Sequence, residues 1–147
     1  MRIVLQRVKE AKVTVVDQIV GQIQKGALIF LGVGKEDATE DVDFLVKKIT
    51  ELRMFEDDQG KMNLSSKDVG ASFLVVSQFT LYGDCSRGRR PSFDPAADPQ
   101  KGEELYNLFV ERLKKENVNV ETGRFRAMMD VALVNDGPVT FILESGQ

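Results

Sequence analysis

Ala27-Leu28-Ile29-Phe30-Leu31 is the stretch that decides the fold of this chain of 147 residues. The run is apolar throughout and lacks the alternation of a strand that has one face in water. Such a run predicts a central strand that is buried on both faces of a sheet. The rest of the chain is therefore expected to supply neighbouring strands and the helices that cover them.

The sequence before this run predicts further strands. Residues 3–8 give a mixed strand signal, and apolar residues alternate with polar ones over residues 11–15 and 19–23. This period of two is typical of half-buried strands. Asp17-Gln18 separates the last two segments, and we interpret it as a short turn.

Two later segments have the periodicity of amphipathic helices. Their apolar faces consist of Val42, Leu45, Val46, Ile49 and Leu52 in the first and Leu105, Leu108, Phe109 and Leu113 in the second. Asp37 and Glu40 resemble a capping box at the start of the first helix. Asp98-Pro99 predicts the start of the second, because Asp caps helices well and proline is tolerated in the first turn.

Four more strands are predicted, at residues 53–56, 71–80, 128–134 and 139–143. No internal repeat is visible, and the length fits one domain. We therefore predict a single α+β domain over residues 1–147. Its sheet is expected to be curved and antiparallel-rich, or an open barrel, with two main helices packed outside.

Composition excludes several kinds of site. The chain has no histidine and a single cysteine, Cys85, which excludes Ser-His-Asp and Cys-His catalysis and most zinc sites. One cysteine allows no intrachain disulfide and fits a reducing cytoplasm, where we expect this protein. Asp57-Asp58-Gln59-Gly60 lacks the downstream spacing of a calcium loop and is interpreted as a turn.

The charge balance leaves only a local patch for nucleic acid. Lys and Arg number 20 against 23 Asp and Glu, a net charge of −3, so no global basic field exists. Arg87-Gly88-Arg89-Arg90 is the densest basic cluster, and it is either a binding patch or a solvated loop. Gly32-Val33-Gly34-Lys35 precedes the first helix but lacks the full pattern of a phosphate-binding loop, so we interpret it as a plain turn.

A polar segment, Ser77-Gln78-Phe79-Thr80-Leu81-Tyr82-Gly83, follows the apolar residues 73–76. One interpretation is a strand end that meets water. The other is that the backbone N–H groups of Gln78 and Phe79, freed at the strand end, stabilise an oxyanion. Thr80 is an unattractive nucleophile, because its hydroxyl needs a base and no histidine exists.

A second polar segment, Asn135-Asp136-Gly137-Pro138-Val139-Thr140, follows the apolar residues 131–134. Asp-Gly-Pro is a turn composition. The functional alternative requires the carbonyl groups of Gly137 and Pro138 to face a ligand, and a cis bond between them would turn both to one side.

Together, the two polar segments resemble the signature motifs of the D-aminoacyl-tRNA deacylase family. Other matching segments are Gln6-Arg7-Val8 with Ala11 and Val13, Phe55-Glu56-Asp57, Gly60-Lys61-Met62-Asn63 and Arg90-Pro91-Ser92-Phe93. The resemblance therefore spans nearly the whole chain. It departs at Arg126, where the family usually has glycine. If this position lies near the pocket rim, the arginine could alter the reach of the substrate or add a phosphate contact.

The resemblance implies a hydrolase that cleaves the ester between a D-amino acid and the 3′-terminal adenosine of tRNA. It implies a homodimer with active sites at the interface, no metal or cofactor, and help from the substrate's own 2′-OH. A filter that excludes L-amino acids by steric clash would not stop achiral glycine, so glycyl-tRNA is a predicted side substrate.

The resemblance also assigns roles to individual residues. The catalytic group consists of Ser77, Gln78, Phe79 and Thr80. The substrate-binding group consists of Gly137, Pro138, Asn135, Thr140, Arg7 and Met129, in which Gly137 and Pro138 act on the partner subunit's pocket. The residues expected to contact tRNA are Arg87, Arg89 and Arg90.

Two alternatives compete with this interpretation. A small-molecule esterase that uses Thr80 would hydrolyse free esters without RNA and without preference for D over L. An RNA-binding module would bind tRNA through the arginine cluster without hydrolysing it, with an affinity that falls as salt rises. Neither alternative needs a Gly-Pro segment that faces a ligand.

Overall fold

The computed structural model describes residues 1–146. In chain order its elements are β1 (Arg2–Val15), β2 (Gln18–Ile23), β3 (Gly26–Gly32), α1 (Thr39–Glu51), β4 (Phe55–Glu56), β5 (Met62–Leu64), α2 (Ser66–Val69), β6 (Ser72–Ser77), a 3-10 turn (Phe79–Tyr82), α3 (Pro99–Lys114), β7 (Asn119–Thr122) and β8 (Asp130–Glu144). The predicted α+β fold with two main helices is confirmed.

The apolar run forms the central strand β3, as predicted. β3 pairs antiparallel with β1 and parallel with β6, and the sheet order is β2-β1-β3-β6-β7. Residues 26–29 of β3 are buried. β4 and β5 form a separate two-stranded hairpin, whose turn has Gly60 at φ +74° as the turn prediction requires.

β1 pairs with three other strands of the sheet. Its first half pairs with β3 and its second half with β2, while β8 runs along its other edge. The β1–β2 turn lies at Val16-Asp17, where φ is +46° and +62°. The predicted turn at Asp17-Gln18 was therefore one residue late, since Gln18 already belongs to β2.

The two main helices pack on one face of the sheet over the larger hydrophobic cluster. Asp98 caps α3 as predicted, since its side chain accepts from the Lys101 N–H at 3.0 Å. The predicted capping box of α1 was wrong. The Ala38 N–H donates to Asp41 Oδ2 at 2.8 Å, whereas Asp37 accepts from the Gly34 N–H at 2.6 Å.

Several predicted strand limits also need correction. Residues 53–56 contribute only the two-residue β4, and the strand predicted over 71–80 ends at Ser77. The strands predicted at 128–134 and 139–143 are one continuous strand, β8, and the prediction missed β5 and β7. No helix within residues 1–146 is long and apolar enough to cross a membrane.

Candidate active site

Gly137 and Pro138 lie on a four-residue bulge in β8. Gln6 pairs with Thr140 and Val8 pairs with Asn135, so residues 136–139 all lie opposite the single residue between them on β1. The Gly137-Pro138 peptide bond is cis, and Gly137 has φ +126°. Both residues are exposed, so the bulge projects from the sheet.

Arg7 is the β1 residue opposite this bulge, and it supports the bulge from beneath. It is 4% exposed. Its Nε donates to the Asp136 carbonyl at 3.2 Å and its Nη1 to the Met54 carbonyl at 2.8 Å, while Nη2 lies 3.7 Å from Glu56 Oε1. Because every guanidinium nitrogen faces a protein acceptor, Arg7 positions the bulge. The role of Arg7 in substrate binding stays a prediction.

Asn135 and Thr140 close the base of the same bulge. Asn135 Oδ1 accepts from the Val139 N–H at 3.1 Å, and Asn135 Nδ2 donates to Thr140 Oγ1 at 3.2 Å. Gln6 Nε2 also donates to Thr140 Oγ1, at 3.3 Å. Both side chains are thus held at the bulge, where they fix its ends.

The polar segment Ser77-Gln78-Phe79-Thr80-Leu81-Tyr82-Gly83 begins where β6 ends. The Gln78 N–H donates to the Leu31 carbonyl at 2.8 Å, so the prediction that it is a free oxyanion donor was wrong. This hydrogen bond continues the parallel pairing of β6 with β3, so the Gln78 N–H is already satisfied. The N–H groups of Phe79 and Thr80 begin the 3-10 turn, and within residues 1–146 neither has a hydrogen-bond acceptor, as expected for the first positions of a helical turn.

Side chains around this turn expose an aromatic and polar surface. Phe79 is 56% exposed and packs edge-on against Phe93, with ring centroids 5.0 Å apart. Gln78 Nε2 donates to Thr80 Oγ1 at 2.5 Å. The Thr80 hydroxyl has no base beside it among the described contacts, which agrees with a positioning role.

Tyr82 anchors the far end of the 3-10 turn. Its hydroxyl donates to Asp37 Oδ2 at 3.4 Å, and the Arg2 guanidinium lies 4.9 Å from its ring centroid. Burial, followed by the nearby Asp37 charge, raises the pKa of Tyr82 to about 12. A side chain on Gly34 would lie 2.9 Å from the tyrosine ring, so this glycine is required for the close approach.

The two motifs are held by different residues of β1. Arg2 Nη1 donates to the Leu81 carbonyl at 2.6 Å, while Arg7 holds the bulge carbonyl of Asp136. The two arginines are separated by five steps of β1, which is about 16 Å at the usual rise per residue. The residues that hold the two motifs therefore lie at the start and near the middle of β1.

The remaining predicted site residues lie on two loops. Met129 is half-buried beside Gly123, whose N–H donates to the Val75 carbonyl at 3.3 Å. The other loop carries the exposed Arg87, Arg89 and Arg90. Backbone hydrogen bonds between Asp84 and Ser92, at 2.7 and 3.0 Å, close this loop and leave a tip with three arginines and no acidic residue.

Sequence reasoning missed three supporting residues: Asp37, Tyr82 and Phe93. Asp37 had a signal, but its position before α1 indicated a helix cap. Tyr82 and Phe93 lay within matched motifs without an assigned role. Among residues 1–146 no group of three or more acidic or cysteine side chains converges to hold a metal ion.

Known proteins resemble this chain over its whole length. The family described as D-Tyr-tRNA(Tyr) deacylase matches residues 4–144. The D-aminoacyl-tRNA deacylase of Thermotoga petrophila is 59% identical over 147 residues, which cover 100% of this chain and 99% of that protein. The D-aminoacyl-tRNA deacylase of Brevibacillus brevis is 55% identical over 145 residues, which cover 99% of this chain and 100% of that protein.

Solved structures share the fold over the whole chain. A protein described as c-Myc DNA Unwinding Element Binding Protein superposes with a TM-score of 0.94 at 39% identity, with 100% of both chains covered. A probable eukaryotic D-amino acid tRNA deacylase superposes with a TM-score of 0.83 at 18% identity, over 97% of this chain and 98% of that one. The second likeness shows the fold alone.

Proposed function

Since this chain belongs to the D-Tyr-tRNA(Tyr) deacylase family, we propose that it hydrolyses the ester of D-aminoacyl-tRNA and releases the free D-amino acid and tRNA. The enzyme is a carboxylic ester hydrolase that removes D-amino acids before they reach translation. The observation that carries this proposal is the combination of free N–H donors at Phe79 and Thr80 with a rigidly held Gly137-Pro138 bulge.

The N–H donors suit the ester chemistry. Water attacks the ester carbonyl carbon, negative charge develops on the carbonyl oxygen, and the bond to the ribose oxygen breaks as that oxygen takes up a proton. Two preorganised N–H groups at a strand end can stabilise the developing charge, and one such donor is worth on the order of 10²–10³ in rate. The ester is already labile beside the vicinal 2′-OH of the substrate, so no histidine is required.

The bulge suits selection by handedness. An enzyme that accepts many side chains gains nothing from binding the side chain itself. Backbone carbonyls of Gly137 and Pro138 would instead surround the chiral carbon, and an L-amino acid would place its side chain against them. Rejection is then steric, and glycyl-tRNA passes the filter because glycine has no side chain.

The separation of the two motifs supports a homodimer with shared active sites. The sheet face opposite the main helices carries Val4, which pairs with Phe30 on one side and Ile142 on the other. Ile142 is 69% exposed. A second copy that covers this apolar face would bring its own Gly137-Pro138 bulge to the 3-10 turn of the first and complete the pocket in trans.

The arginine-bearing tip is proposed to bind tRNA phosphates. Arg87, Arg89 and Arg90 are exposed, and none has an ion pair or side-chain hydrogen bond among the described residues. The loop that carries this tip follows the 3-10 turn directly in sequence, so the tip lies beside the proposed ester site. Unpaired arginines next to an exposed aromatic pair are typical of single-stranded nucleic-acid binding.

The deciding experiment compares hydrolysis of D-tyrosyl-tRNA and L-tyrosyl-tRNA by the purified protein with a chelator present. Fast loss of the D-ester with the L-ester spared is the expected result, and it would also show that no metal is needed. Equal loss of both esters would indicate a general esterase. Loss of neither, with tRNA still bound, would indicate an RNA-binding module and overturn the proposal.

A further inference from the structure

Arg126 occupies a backbone conformation that an arginine rarely adopts. It has φ +64° in the turn between β7 and β8, where the Ala127 N–H donates to the Arg124 carbonyl at 3.3 Å. The left-handed region is unfavourable for residues with a Cβ, whereas glycine enters it freely. Val16, Asp17 and Asn117 also have positive φ, so a function for Arg126 is inferred from the position and charge of its side chain.

The turn that carries Arg126 begins at the same sheet edge as the active-site segment. β6 and β7 are parallel, with Val75 paired to Thr122, so their carboxyl ends lie side by side. The Gly123 N–H donates to the Val75 carbonyl, two residues before Ser77. The turn therefore borders the site on the β7 side, whereas the 3-10 turn and the arginine-bearing tip border it on the β3 side.

The charge of this turn is available to a ligand. Arg124 and Arg126 are both exposed, and neither side chain has a hydrogen bond or ion pair among residues 1–146. Two unpaired guanidinium groups lie beside a site for an RNA ester. Their positive charge complements the negative charge of backbone phosphates, which arginine binds through paired N–H groups.

We propose that Arg126, with Arg124, is a second phosphate-binding contact for tRNA, on the side of the site opposite the arginine-bearing tip. The inference rests on the proposed function for the identity of the RNA. The contact is expected at the acceptor end of the tRNA, because the turn borders the ester site. Arg126 touches no reacting atom in this scheme and contributes to tRNA binding alone.

Arg126→Gly is the test, because glycine fits the left-handed backbone and cannot impair folding. Binding of uncharged tRNA is measured across a range of salt concentrations, together with kcat and KM for D-tyrosyl-tRNA. We expect about 3–10-fold weaker binding, a salt slope smaller by about 0.7–0.9, a raised KM and an unchanged kcat. The Tm should stay equal or rise by about 2–4 °C.

Three controls separate charge, backbone and position. Arg126→Lys keeps the charge and should retain most of the affinity. Asn117→Gly relieves another positive φ, +59°, in the α3–β7 loop and should leave tRNA binding unchanged. Lys48→Ala removes one exposed positive charge from α1 and should also leave binding unchanged.

Unchanged tRNA affinity in Arg126→Gly, or an equal loss in Lys48→Ala, would overturn the inference. Uncharged tRNA is the probe for binding, so the result does not depend on hydrolysis. A wild-type protein that binds tRNA but hydrolyses no D-ester would contradict the proposed function. The ratio of the tRNA affinities of the wild type and Arg126→Gly would still decide whether Arg126 contacts RNA.

Discussion

Arg7 holds Asp136 through two contacts: its Nε lies 3.2 Å from the Asp136 carbonyl oxygen and 3.4 Å from Oδ2. These contacts join the buried side of β1 to the exposed bulge of β8. Because the other guanidinium nitrogens face Met54 and Glu56, the fork cannot turn away. The position of the bulge thus depends on one planar cation.

Arg7→Lys should damage the enzyme although it keeps the charge, because an ammonium cannot face all of these acceptors at once. Each lost hydrogen bond to a charged group is worth about 1.5–3 kcal/mol. We expect a lower free energy of unfolding by that order and at least a tenfold fall in kcat/KM for D-tyrosyl-tRNA. Lys12→Ala, an exposed change on the same strand, is the control. Full activity in Arg7→Lys would show that the bulge does not need this support.

Gly137→Ala should reduce activity strongly while the protein stays folded. An added Cβ would lie 2.8 Å from Val139 Cγ2, 3.1 Å from Val139 N and 3.2 Å from Arg7 Nη2, and φ +126° is unfavourable for alanine. The backbone cost is about 1–3 kcal/mol, and displacing the bulge by about 1 Å can reduce the rate about 10²-fold. Deacylation kinetics and thermal unfolding measure the two effects.

Gly60→Ala provides the matched control for this prediction. Gly60 also has a positive φ, +74°, but its added Cβ would meet nothing within 4 Å. It should cost stability of the same order and leave deacylation unchanged. If Gly137→Ala were as active as Gly60→Ala, the bulge would have no part in catalysis or selectivity.

These residues show what the sequence could and could not predict. Local patterns were sufficient for the buried strand at Ala27–Leu31 and for the Asp98 cap, because both depend on neighbours in sequence. The free donor at Gln78 was predicted wrongly, because its acceptor on Leu31 comes from a parallel pairing between distant segments. Composition predicted a turn at Asp-Gly-Pro, whereas pairing with β1 makes it a bulge within one strand.

Phe79→Pro should remove an oxyanion donor with little change in structure. Phe79 is the first residue of the 3-10 turn, where proline is tolerated. Gln78 before it has φ −143° and ψ 81°, outside the helical region that a following proline disfavours. Phe79→Ala removes the same ring but keeps the N–H and is the control. We expect kcat for Phe79→Pro to be about 10²–10³-fold below that of Phe79→Ala. Equal rates would place the donors elsewhere.

The two tyrosines should resist ionisation in the folded protein. Burial is the main cause that raises the pKa of both Tyr82 and Tyr106 from 10.0 to about 12. The folded state therefore keeps both protons at a pH where the unfolded state loses them, so this stabilisation is complete below pH 10 and is lost between pH 10 and 12. Phenolate absorbance should stay absent at pH 10.5 until urea unfolds the chain. Phenolate in the folded protein at that pH would contradict the burial of these rings.

Mixing two inactive variants tests whether the bulge acts in trans. Suppose that Gly137→Ala and Phe79→Pro are each nearly inactive as homodimers. In a mixed dimer, one site combines the intact Phe79 donor of one copy with the intact bulge of the other, and the second site carries both defects. Co-refolding equal amounts should therefore restore about one quarter of wild-type activity, since half of the dimers are mixed and each has one working site.

A pocket formed within one chain predicts the opposite result, because each copy in the mixed dimer would still carry one defect. Refolding each variant alone sets the background, and a mixture of Gly137→Ala with Arg7→Lys serves as a further control. Both of those substitutions damage the bulge, so their mixed dimer has no intact bulge in either copy and recovers no activity above the Arg7→Lys background. Recovery only in the Gly137→Ala and Phe79→Pro mixture would therefore place the donor and the bulge of each active site on different subunits.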